Sequence, residues 1–480
     1  MFLMTLVGRA ARIASFAVSL TWSALPAFAT LPTSYTYQLQ VRSNFAQNPG
    51  GAFNIPGSWF FNSNDAPGLN DQDQVSTRIT VTSGDFHALW FGGGGTGAVV
   101  HQGPLGSFFS ATSLNNSGEV VFEQSLSAAN GVYRYRSATG ITSLFTNRPL
   151  GASGWGTPQI NNLSQTGFRA SFSGSGTAFV SSTGEAFPPI HVAEVGVDSL
   201  SPYSFLFTPS FNNNRQIASS ARLGGPGQTG SSQPDEVRIF NADGSSVLIA
   251  QDRNANPASN YRSFDNSVDL NDLGWVAFTA TLEVPSGARG VFISNGTQTI
   301  TIARTDGGIV SNIEFFAPAI NNSNLVAFRA FDAGGLRAVW VGDGTGLVRV
   351  ATEHDILPTD QGPGRIDQND ASPVFGGGPS INSAGNVAFN AALTPPGNNQ
   401  VEWGTGLFVA TAVFPPPPHC VGDADSDGDR EFADITAVLA NFNNMTIPFG
   451  LGDADGSGVV DFADITSVLA LFGQPCPTSR

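Results

Sequence analysis

Acidic residues recur at a fixed spacing in two segments near the C-terminus. If Asp423 is position 1 of the first segment, acidic residues follow at positions 3, 5, 7, 9 and 12, and Gly428 is at position 6. Calcium-binding loops use oxygen ligands at positions 1, 3, 5, 9 and 12, a backbone carbonyl at position 7, and a glycine at the sharp bend. The second segment, from Asp453, repeats this register. The spacing therefore predicts two Ca²⁺ sites, called loop one (Asp423, Asp425, Asp427, Asp429, Glu431, Asp434) and loop two (Asp453, Asp455, Ser457, Val459, Asp461, Asp464).

The two loops differ in charge. Loop one has six carboxylates at these positions and loop two has four, so loop one is expected to bind Ca²⁺ more tightly if the two geometries are equal. The alternative is a solvated acidic tail, because the residues from His419 onward include ten acidic residues and only two arginines. The recurrence of ligand positions, glycine and following apolar pattern favours the metal sites.

One amphipathic helix is predicted after each loop. Apolar residues recur at helical spacing, and each apolar face is the natural partner of the other; these residues are Ile435, Val438, Leu439 and Phe442, and Ile465, Val468, Leu469 and Phe472. The four prolines at 415–418 predict a stiff linker over residues 415–419 and exclude an entering helix. The only two cysteines, Cys420 and Cys476, flank the pair, and a disulfide between them would clamp so small a module.

This duplicated loop and helix, without an entering helix, resembles a type I dockerin over about residues 420–476. The resemblance implies that Ca²⁺ folds the module and that loop positions 10 and 11 contact a cohesin partner. Those positions are Phe432 and Ala433 in loop one and Phe462 and Ala463 in loop two. Dockerins usually have small polar residues at these positions, whereas this chain has apolar ones. The apolar pairs are expected to bind a cohesin-like or other surface protein, or to pack on the preceding domain.

The body of the chain is a sevenfold repeat. Each copy has an apolar residue, an asparagine, a few turn residues and then a β-branched or aromatic run. Four short strands per copy predict a mainly β chain with a seven-bladed β-propeller at 30–414; six or eight blades, a solenoid or two domains are the alternatives. The strand at 34–42 is expected to pair with the last blade. The copies begin at Leu69, Leu114, Ile160, Phe211, Leu270, Ile320 and Ile381.

The turn in each copy has its own signature. The asparagine can accept a hydrogen bond from the backbone two residues on, and a glycine at the fifth position of the copy can take a positive φ. Asp73, Ser164 and Arg215 stand there instead, which predicts a different turn in copies one, three and four. From about residue 69 to 411 the copies resemble the bacterial NxxGxxAF tandem-repeat family. The resemblance implies an exported protein built from repeats, and it supplies no activity that could be transferred to this chain.

The N-terminus predicts secretion. Arginines at 9 and 12, an apolar stretch and Ala27-Phe28-Ala29 match a cleavable signal peptide over residues 1–29, with an uncleaved membrane anchor as the alternative. Export to an oxidising compartment suits the disulfide. The net charge of −16, with arginine as the only strongly basic residue type, argues against nucleic acid as a partner.

No catalytic motif is recognisable. The most polar segment between copies is 353–370, where Glu353, His354, Asp355, Asp360, Asp367 and Asp370 could line a ligand or metal site, although a solvated loop is the simpler interpretation. Two functions follow. The first is an exported non-catalytic binding or display protein, with a glycan as one possible propeller ligand, attached by its Ca²⁺ module. The second is a secreted polysaccharide-degrading enzyme, a glycoside hydrolase or lyase carrying a dockerin, which would need paired carboxylates.

Overall fold

Seven antiparallel sheets form a seven-bladed β-propeller, and two short helices follow it. The structure, a computed structural model, describes residues 30–43, 51–56, 59–61, 65–81, 86–126, 130–146, 151–185, 187–368, 373–415, 420–474 and 476. The predicted signal peptide at 1–29 and residues 416–419 of the predicted linker lie outside these ranges. Among the described residues, no helix is long and apolar enough to cross a membrane.

Each blade is one sheet, and the first six follow the chain in order. Blade 1 contains β2 (Trp59–Phe61), β3 (Gly68–Leu69), β4 (Gln74–Val81), β5 (His87–Gly93) and β6 (Thr96–Gln102). Blade 2 contains β7 (Phe108–Phe109), β8 (Ser113–Leu114), β9 (Glu119–Ser125), β10 (Gly131–Arg136) and β11 (Ile141–Thr146). Blade 3 contains β12 (Gly154–Ile160), β13 (Thr166–Phe172), β14 (Gly176–Ser182) and β15 (Ile190–Ala193).

The later blades repeat this order. Blade 4 contains β16 (Tyr203–Leu206), β17 (Ser210–Phe211), β18 (Ile217–Leu223), β19 (Asp235–Phe240) and β20 (Ser246–Gln251). Blade 5 contains β21 (Tyr261–Phe264), β22 (Asp269–Leu270), β23 (Val276–Leu282), β24 (Arg289–Ser294) and β25 (Thr299–Arg304). Blade 6 contains β26 (Val310–Ile313), β27 (Ala319–Ile320), β28 (Val326–Asp332), β29 (Arg337–Gly342) and β30 (Leu347–Thr352).

Blade 7 closes the ring with the N-terminal strand. It contains β31 (Ile356–Thr359), β32 (Gly362–Ile366), β33 (Phe375–Ile381), β34 (Val387–Thr394) and β35 (Gly404–Val413), and β1 (Ser34–Arg42) pairs with β35 from Ser34 opposite Val413 to Arg42 opposite Gly406. The prediction that this strand pairs with the last blade is confirmed. Closure covers an edge of the blade 7 sheet and joins the two ends of the repeat array.

The core lies between the blades. The strand after each repeat turn is buried on both faces, as in β23 and β28, because it is covered by neighbouring blades. Trp275 and Trp340 are among the buried residues that pack between blades 5 and 6. Trp155 is also buried, so these tryptophans serve the core and do not offer open faces to a ligand.

Seven asparagines close a hydrogen-bonded ring around the channel. The side-chain Nδ2 of each donates to the backbone carbonyl of its counterpart in the next blade, at 2.9 to 3.1 Å, and the last blade donates to the first. In six copies the Oδ1 also accepts the backbone N–H groups two and four residues on, as Asn271 does from Leu273 and Trp275. The ring consists of Asn70, Asn115, Asn161, Asn212, Asn271, Asn321 and Asn382, and we call its side of the channel the asparagine end.

All seven repeat turns share one backbone conformation. The fifth residue of every copy has a positive φ, between 56° and 80°. The prediction that copies one, three and four turn differently is therefore wrong: Asp73, Ser164 and Arg215 adopt φ values of 56° to 60° without being glycine. The ring requires the same turn in every blade, and this requirement outweighs the local cost of a left-handed residue.

The C-terminal module, residues 420–476 as described, contains α1 (Phe432–Ala440) and α2 (Phe462–Leu471). Each helix begins directly after its acidic loop, and Asp434 and Asp464 accept the backbone N–H of Glu431 and Asp461, the two N-cap residues, at 2.7 Å. These carboxylates compensate the positive end of each helix dipole.

Candidate functional site

Three carboxylates meet in each acidic loop. Oxygen atoms of Asp423, Asp425 and Asp434 all lie within 4.8 Å of one another, and the same holds for Asp453, Asp455 and Asp464. These are positions 1, 3 and 12 of loop one and loop two. Positions 1 and 12 are buried in both loops, whereas position 3 is half-buried. The structure therefore brings together residues that are far apart in each loop and places them at its centre.

Backbone N–H groups hold the loops in this conformation. Asp423 accepts from Asp427 and Gly428 at 3.2 Å, and Asp453 accepts from Ser457 at 3.0 Å and Gly458 at 2.8 Å. Gly428 and Gly458 have φ values of 99° and 83°, which a residue with a Cβ rarely adopts. The bend predicted at position 6 is present in both loops.

The inner trios bring like charges together. The charges that act on Asp423, Asp425 and Asp464 are those of neighbouring carboxylates of the same loop. Burial raises the pKa of Asp423, Asp425 and Asp464, and the neighbouring carboxylates raise it further. Buried like charges need a compensating cation, and a set of hard oxygen donors suits Ca²⁺.

The other predicted ligands lie further out. Asp427, Asp429 and Glu431 are exposed and form a second acidic group in loop one, with oxygens within 4.8 Å of one another. In loop two the Ser457 hydroxyl donates to the Val459 carbonyl at 3.1 Å. Asp461 accepts the backbone N–H of Ala463 at 2.7 Å, so it caps α2. In each loop, positions 1, 3 and 12 therefore form an inner trio. Positions 5, 7 and 9 lie outside this trio, and their role as ligands remains a prediction.

The two loops are joined by a local pseudo-twofold arrangement. Gly422 N–H donates to the Ala454 carbonyl at 2.8 Å, and Gly452 N–H donates to the Ala424 carbonyl at 2.7 Å. These are equivalent bonds in the two copies, running in opposite directions. Cys420 and Cys476 form a disulfide that ties the first described residue of the module to the last, as predicted.

Only part of each predicted helix face is buried. Val438 and Val468 are fully buried with Ala424, Ala454 and Val460, while Ile435, Phe442 and Ile465 pack at the edge of this cluster. The prediction that Leu439 and Leu469 share the packed face is wrong, because they are 59% and 58% exposed. So small a core covers one valine per helix and leaves the next position to solvent.

The predicted partner-binding residues lie on the surface of the module. Phe432 and Phe462 are 71% and 73% exposed, Ala463 is exposed and Ala433 is half-buried. The ring of Phe462 contacts Phe442 edge to face, at 5.0 Å between centroids. Large exposed apolar residues on so small a module are typical of an interaction surface.

The propeller carries a cavity at the end of the channel opposite the asparagine end. Its volume is about 470 Å³, and its lining comes from the innermost segments of the blades, including Thr112, Gln159, Asp269 and Phe315. Burial raises the pKa of Asp269, whose oxygens accept from Ser210 Oγ and Ile320 N–H. Asp269 therefore joins three blades.

Glu123 is the unusual acid of this end, and sequence reasoning missed it. It stands on β9, and its backbone pairs with Ser110, beside the segment that lines the cavity. Burial raises the pKa of Glu123 to about 7, and no ion pair to it is formed within the described chain. The local sequence, Phe122-Glu123-Gln124, shows no motif, and its one signal is an acidic residue within a largely buried strand.

The polar segment at 353–370 is mostly structural. It forms the hairpin of β31 and β32, and Asp360 binds Arg42 through two bonds of 2.8 Å. Asp355 accepts the backbone N–H of Thr352 at 2.7 Å. Glu353, His354 and Asp367 do converge within 4.8 Å, but Arg365 already lies 3.3 Å from the Asp367 carboxylate. Asp370 lies outside the described residues.

Comparison with known proteins identifies the repeat region but no activity. The model of a family of unknown function, DUF7453, matches residues 83–409. No curated protein matches the sequence. Similar solved structures include an oligogalacturonate lyase in complex with manganese, at 12% identity over 80% of this chain and 98% of that chain with a TM-score of 0.48. Another is the polysaccharide lyase Uly1, at 9% identity over 80% of this chain and 100% of that chain with a TM-score of 0.43. Similarity at this level carries no information about activity.

Proposed function

The chain belongs to the DUF7453 family of unknown function, and we propose that it is an exported, non-catalytic binding or display protein attached through a calcium-dependent, dockerin-like module. The observation that carries this proposal is the pair of inner carboxylate trios in loop one and loop two. Each trio contains two buried carboxylates, and the charges that act on Asp423, Asp425 and Asp464 are those of neighbouring carboxylates. Two Ca²⁺ ions would supply the missing charge and link the start of each loop to its following helix.

The proposed attachment surface is the exposed side of α1 and α2. Phe432 and Phe462 occupy equivalent positions of the two copies and are both open to solvent. Since Ca²⁺ would hold the loop residues that precede each phenylalanine, attachment to a surface protein would depend on the ion. The propeller then presents its own surface for binding, and the predicted signal peptide at 1–29 would direct the whole chain out of the cell.

Hydrogen exchange on the chain from residue 30 onward tests the calcium proposal. Chelation should remove the protection of amides in α1 and α2, and leave amides of the buried strands β23 and β28 protected. Circular dichroism should lose helical signal and keep the β signal. Protection of both helices that is the same with and without chelator would contradict the proposal.

The attachment role needs a separate measurement. Replacing Phe432 and Phe462 by serine should keep the calcium-dependent protection of the helices but abolish calcium-dependent binding of labelled protein to the surface of the producing cells. Serine at Phe187, an exposed propeller residue at 82% exposure, is the matched control. Unchanged cell binding by the double variant would remove these residues from the interface.

A second candidate, a polysaccharide-acting enzyme, is favoured by one observation, which is Glu123. A carboxyl group with a pKa of about 7 can donate or accept a proton at neutral pH. The backbone of Glu123 pairs with Ser110, which adjoins residues 111–114 of the cavity lining. Activity on a panel of polysaccharides that disappears in Glu123→Gln would establish this function. A fully folded chain without activity on the panel would leave the binding role as the better account.

A further inference from the structure

Three arginines occupy the same place in their repeats, but only two of them have an acidic partner. Arg78, Arg169 and Arg329 each follow the first residue of a copy by nine positions, on the buried strand of blades 1, 3 and 6. Arg78 lies 2.7 Å from Asp65, and Arg329 lies 2.8 Å from Glu314. Within the described residues no carboxylate lies within ion-pair distance of Arg169.

The reason is visible in the neighbouring inner strand. Glu314 stands opposite Arg329, and its backbone N–H donates to the Arg329 carbonyl at 3.1 Å. In blade 3 the residue opposite Arg169 is Gly156. Nothing lies within 4 Å of the position that a Cβ would take at Gly156. Blade 3 therefore lacks the carboxylate, and the place of that side chain is open.

The other contacts of Arg169 leave its guanidinium available. It lies over the ring of Phe205 at 5.0 Å, as Arg329 lies over Phe316 at 4.1 Å, so the apolar support is retained. The Nε atom is buried and has no hydrogen-bond acceptor. Glu194 is near, but its oxygens accept from Thr177 N–H and Oγ1 and from Leu206 N–H. An unpaired guanidinium at a partly buried site is costly.

We propose that Arg169 is the anchor of a binding site for a small ligand that carries a carboxylate. The ligand carboxylate would take the place that Glu314 takes at Arg329, with the guanidinium held flat on Phe205 and its N–H edge directed to the anion. The adjoining residues Thr157 and Gln159 line the cavity of about 470 Å³, which gives room for the rest of the ligand. The site deepens the proposed binding role of the propeller and does not depend on the calcium loops.

The carboxylate is favoured over other anions by the internal comparison. Both equivalent arginines are paired with a carboxylate, and a planar carboxylate matches the fork of a guanidinium. The probe is D-glucuronate, with D-glucose as its neutral match and inorganic phosphate as a second anion, each titrated calorimetrically into the chain from residue 30 onward at low ionic strength.

Two variants at the site and one elsewhere test the proposal. In Arg169→Gln the dissociation constant for glucuronate should rise at least about tenfold, and the melting temperature should not fall, because an unpaired charge has been removed. Gly156→Glu should supply the missing carboxylate, weaken glucuronate binding to the same degree and raise the melting temperature. Arg262→Gln, at an exposed arginine of β21, should change neither quantity. Chelation of calcium should leave glucuronate binding unchanged.

Four results would overturn the proposal. Equal affinity for glucuronate in the wild type and Arg169→Gln would exclude Arg169 as the anchor, as would the absence of any glucuronate binding. Equal affinity for glucose and glucuronate would exclude the charge as the basis of recognition. Phosphate binding that is tighter than glucuronate binding and is lost in Arg169→Gln would overturn the assignment of the ligand class. If the helices of the C-terminal module stay protected from hydrogen exchange after chelation, that result would contradict only the calcium proposal.

Discussion

The propeller and the C-terminal module are both built from internal copies, and they treat their repeated polar residues in opposite ways. In the propeller, the Nδ2 of every ring asparagine donates to the next blade, and Oδ1 accepts within its own turn. In the module, three aspartates of each copy converge within 4.8 Å of one another. The repeated group is a neutral, fully paired amide in one region, whereas in the other it is an acid that lies beside other acids.

This difference separates structural repeats from ligand-binding repeats. A buried amide whose donors and acceptors all have partners completes a fold and needs nothing more. A buried trio of like charges is unfavourable until a cation joins it. The same criterion applies inside the propeller, where Arg329 has Glu314 as its partner and Arg169 faces Gly156. An unpaired member of a repeated set is thus a better guide to binding than the repeat itself.

The largest expected effect is the loss of calcium-linked stability in the module. Asp425→Asn with Asp455→Asn keeps the shape of position 3 in both loops but removes one charge from each trio. At a Ca²⁺ concentration near 1,000 times the dissociation constant, a bound ion adds about 4 kcal/mol to the free energy of unfolding. The variant should lose most of this increment while its stability in chelator stays the same or rises.

Thermal unfolding of the module with and without Ca²⁺ measures that effect, and Asp306→Asn is the control. Asp306 is an acidic residue of the propeller that binds Arg304. The Asp306→Asn variant should gain as much thermal stability from Ca²⁺ as the wild type does. A double variant at positions 425 and 455 that responds to Ca²⁺ as the wild type does would break the contrast between the two regions.

The second effect concerns the asparagine ring. Asn321→Ala removes the donor to the Asn382 carbonyl and the acceptor of two backbone N–H groups. Leaving these buried groups unpaired should lower the free energy of unfolding by about 3 kcal/mol. Asn322→Ala is the matched control, because Asn322 is exposed; its Nδ2 donates to the Asp272 carboxylate and its Oδ1 accepts the Asp272 backbone N–H. This substitution should cost less than about 1 kcal/mol. Denaturant unfolding followed by intrinsic fluorescence measures both, and equal costs would show that the ring is not structural.

The blade count could be predicted from the sequence, whereas the ring could not. Seven copies with four strands each are visible because turn residues and apolar runs recur along the chain. For six of the seven asparagines, however, the partner of the amide is a carbonyl 45 to 61 residues away, and for Asn382 it is the carbonyl of Asn70, 312 residues away. Local sequence contains no trace of that contact. The positive φ at Arg215 was missed for the same reason, since the ring imposes it from outside the turn.

The candidate sites divide in the same way. The inner trios of loop one and loop two were predictable because calcium loops are short and their register is local. The exposure of Leu439 was not, because helical spacing does not reveal how little apolar surface the partner helix can cover. Glu123 and Arg169 belong to no motif. They stand out because no oppositely charged residue lies at ion-pair distance from them within the described chain, which only the three-dimensional structure reveals.

The third effect is a dependence of propeller stability on pH. Burial raises the pKa of Glu123 from 4.5 to about 7, so the folded chain holds this proton more tightly than the unfolded chain does. Stability from this group is therefore fully present below pH 4.5 and is lost as the pH rises through 7, by about 3 kcal/mol. Glu123→Gln should be more stable than the wild type at pH 8, and the two should converge at pH 4. Parallel pH profiles would show that Glu123 does not titrate in this range.

The smallest effect compares the two calcium loops with each other. Both inner trios have the same composition, so any difference in affinity must come from the outer positions. Loop one places Asp427, Asp429 and Glu431 there, and loop two places Ser457, Val459 and Asp461. Two more negative charges near the ion should make loop one about tenfold tighter, or about 1.4 kcal/mol.

Calorimetric titration of Ca²⁺ into the chain from residue 30 onward should resolve two events. Asp427→Ser with Asp429→Val gives loop one the outer residues of loop two at positions 5 and 7, and should merge the two events into one. The reciprocal pair, Ser457→Asp with Val459→Asp, should bring loop two up to the affinity of loop one. If neither exchange changes the difference in affinity, the residues at positions 5 and 7 do not cause it, and Asp427 and Asp429 of loop one serve the surface and not the ion.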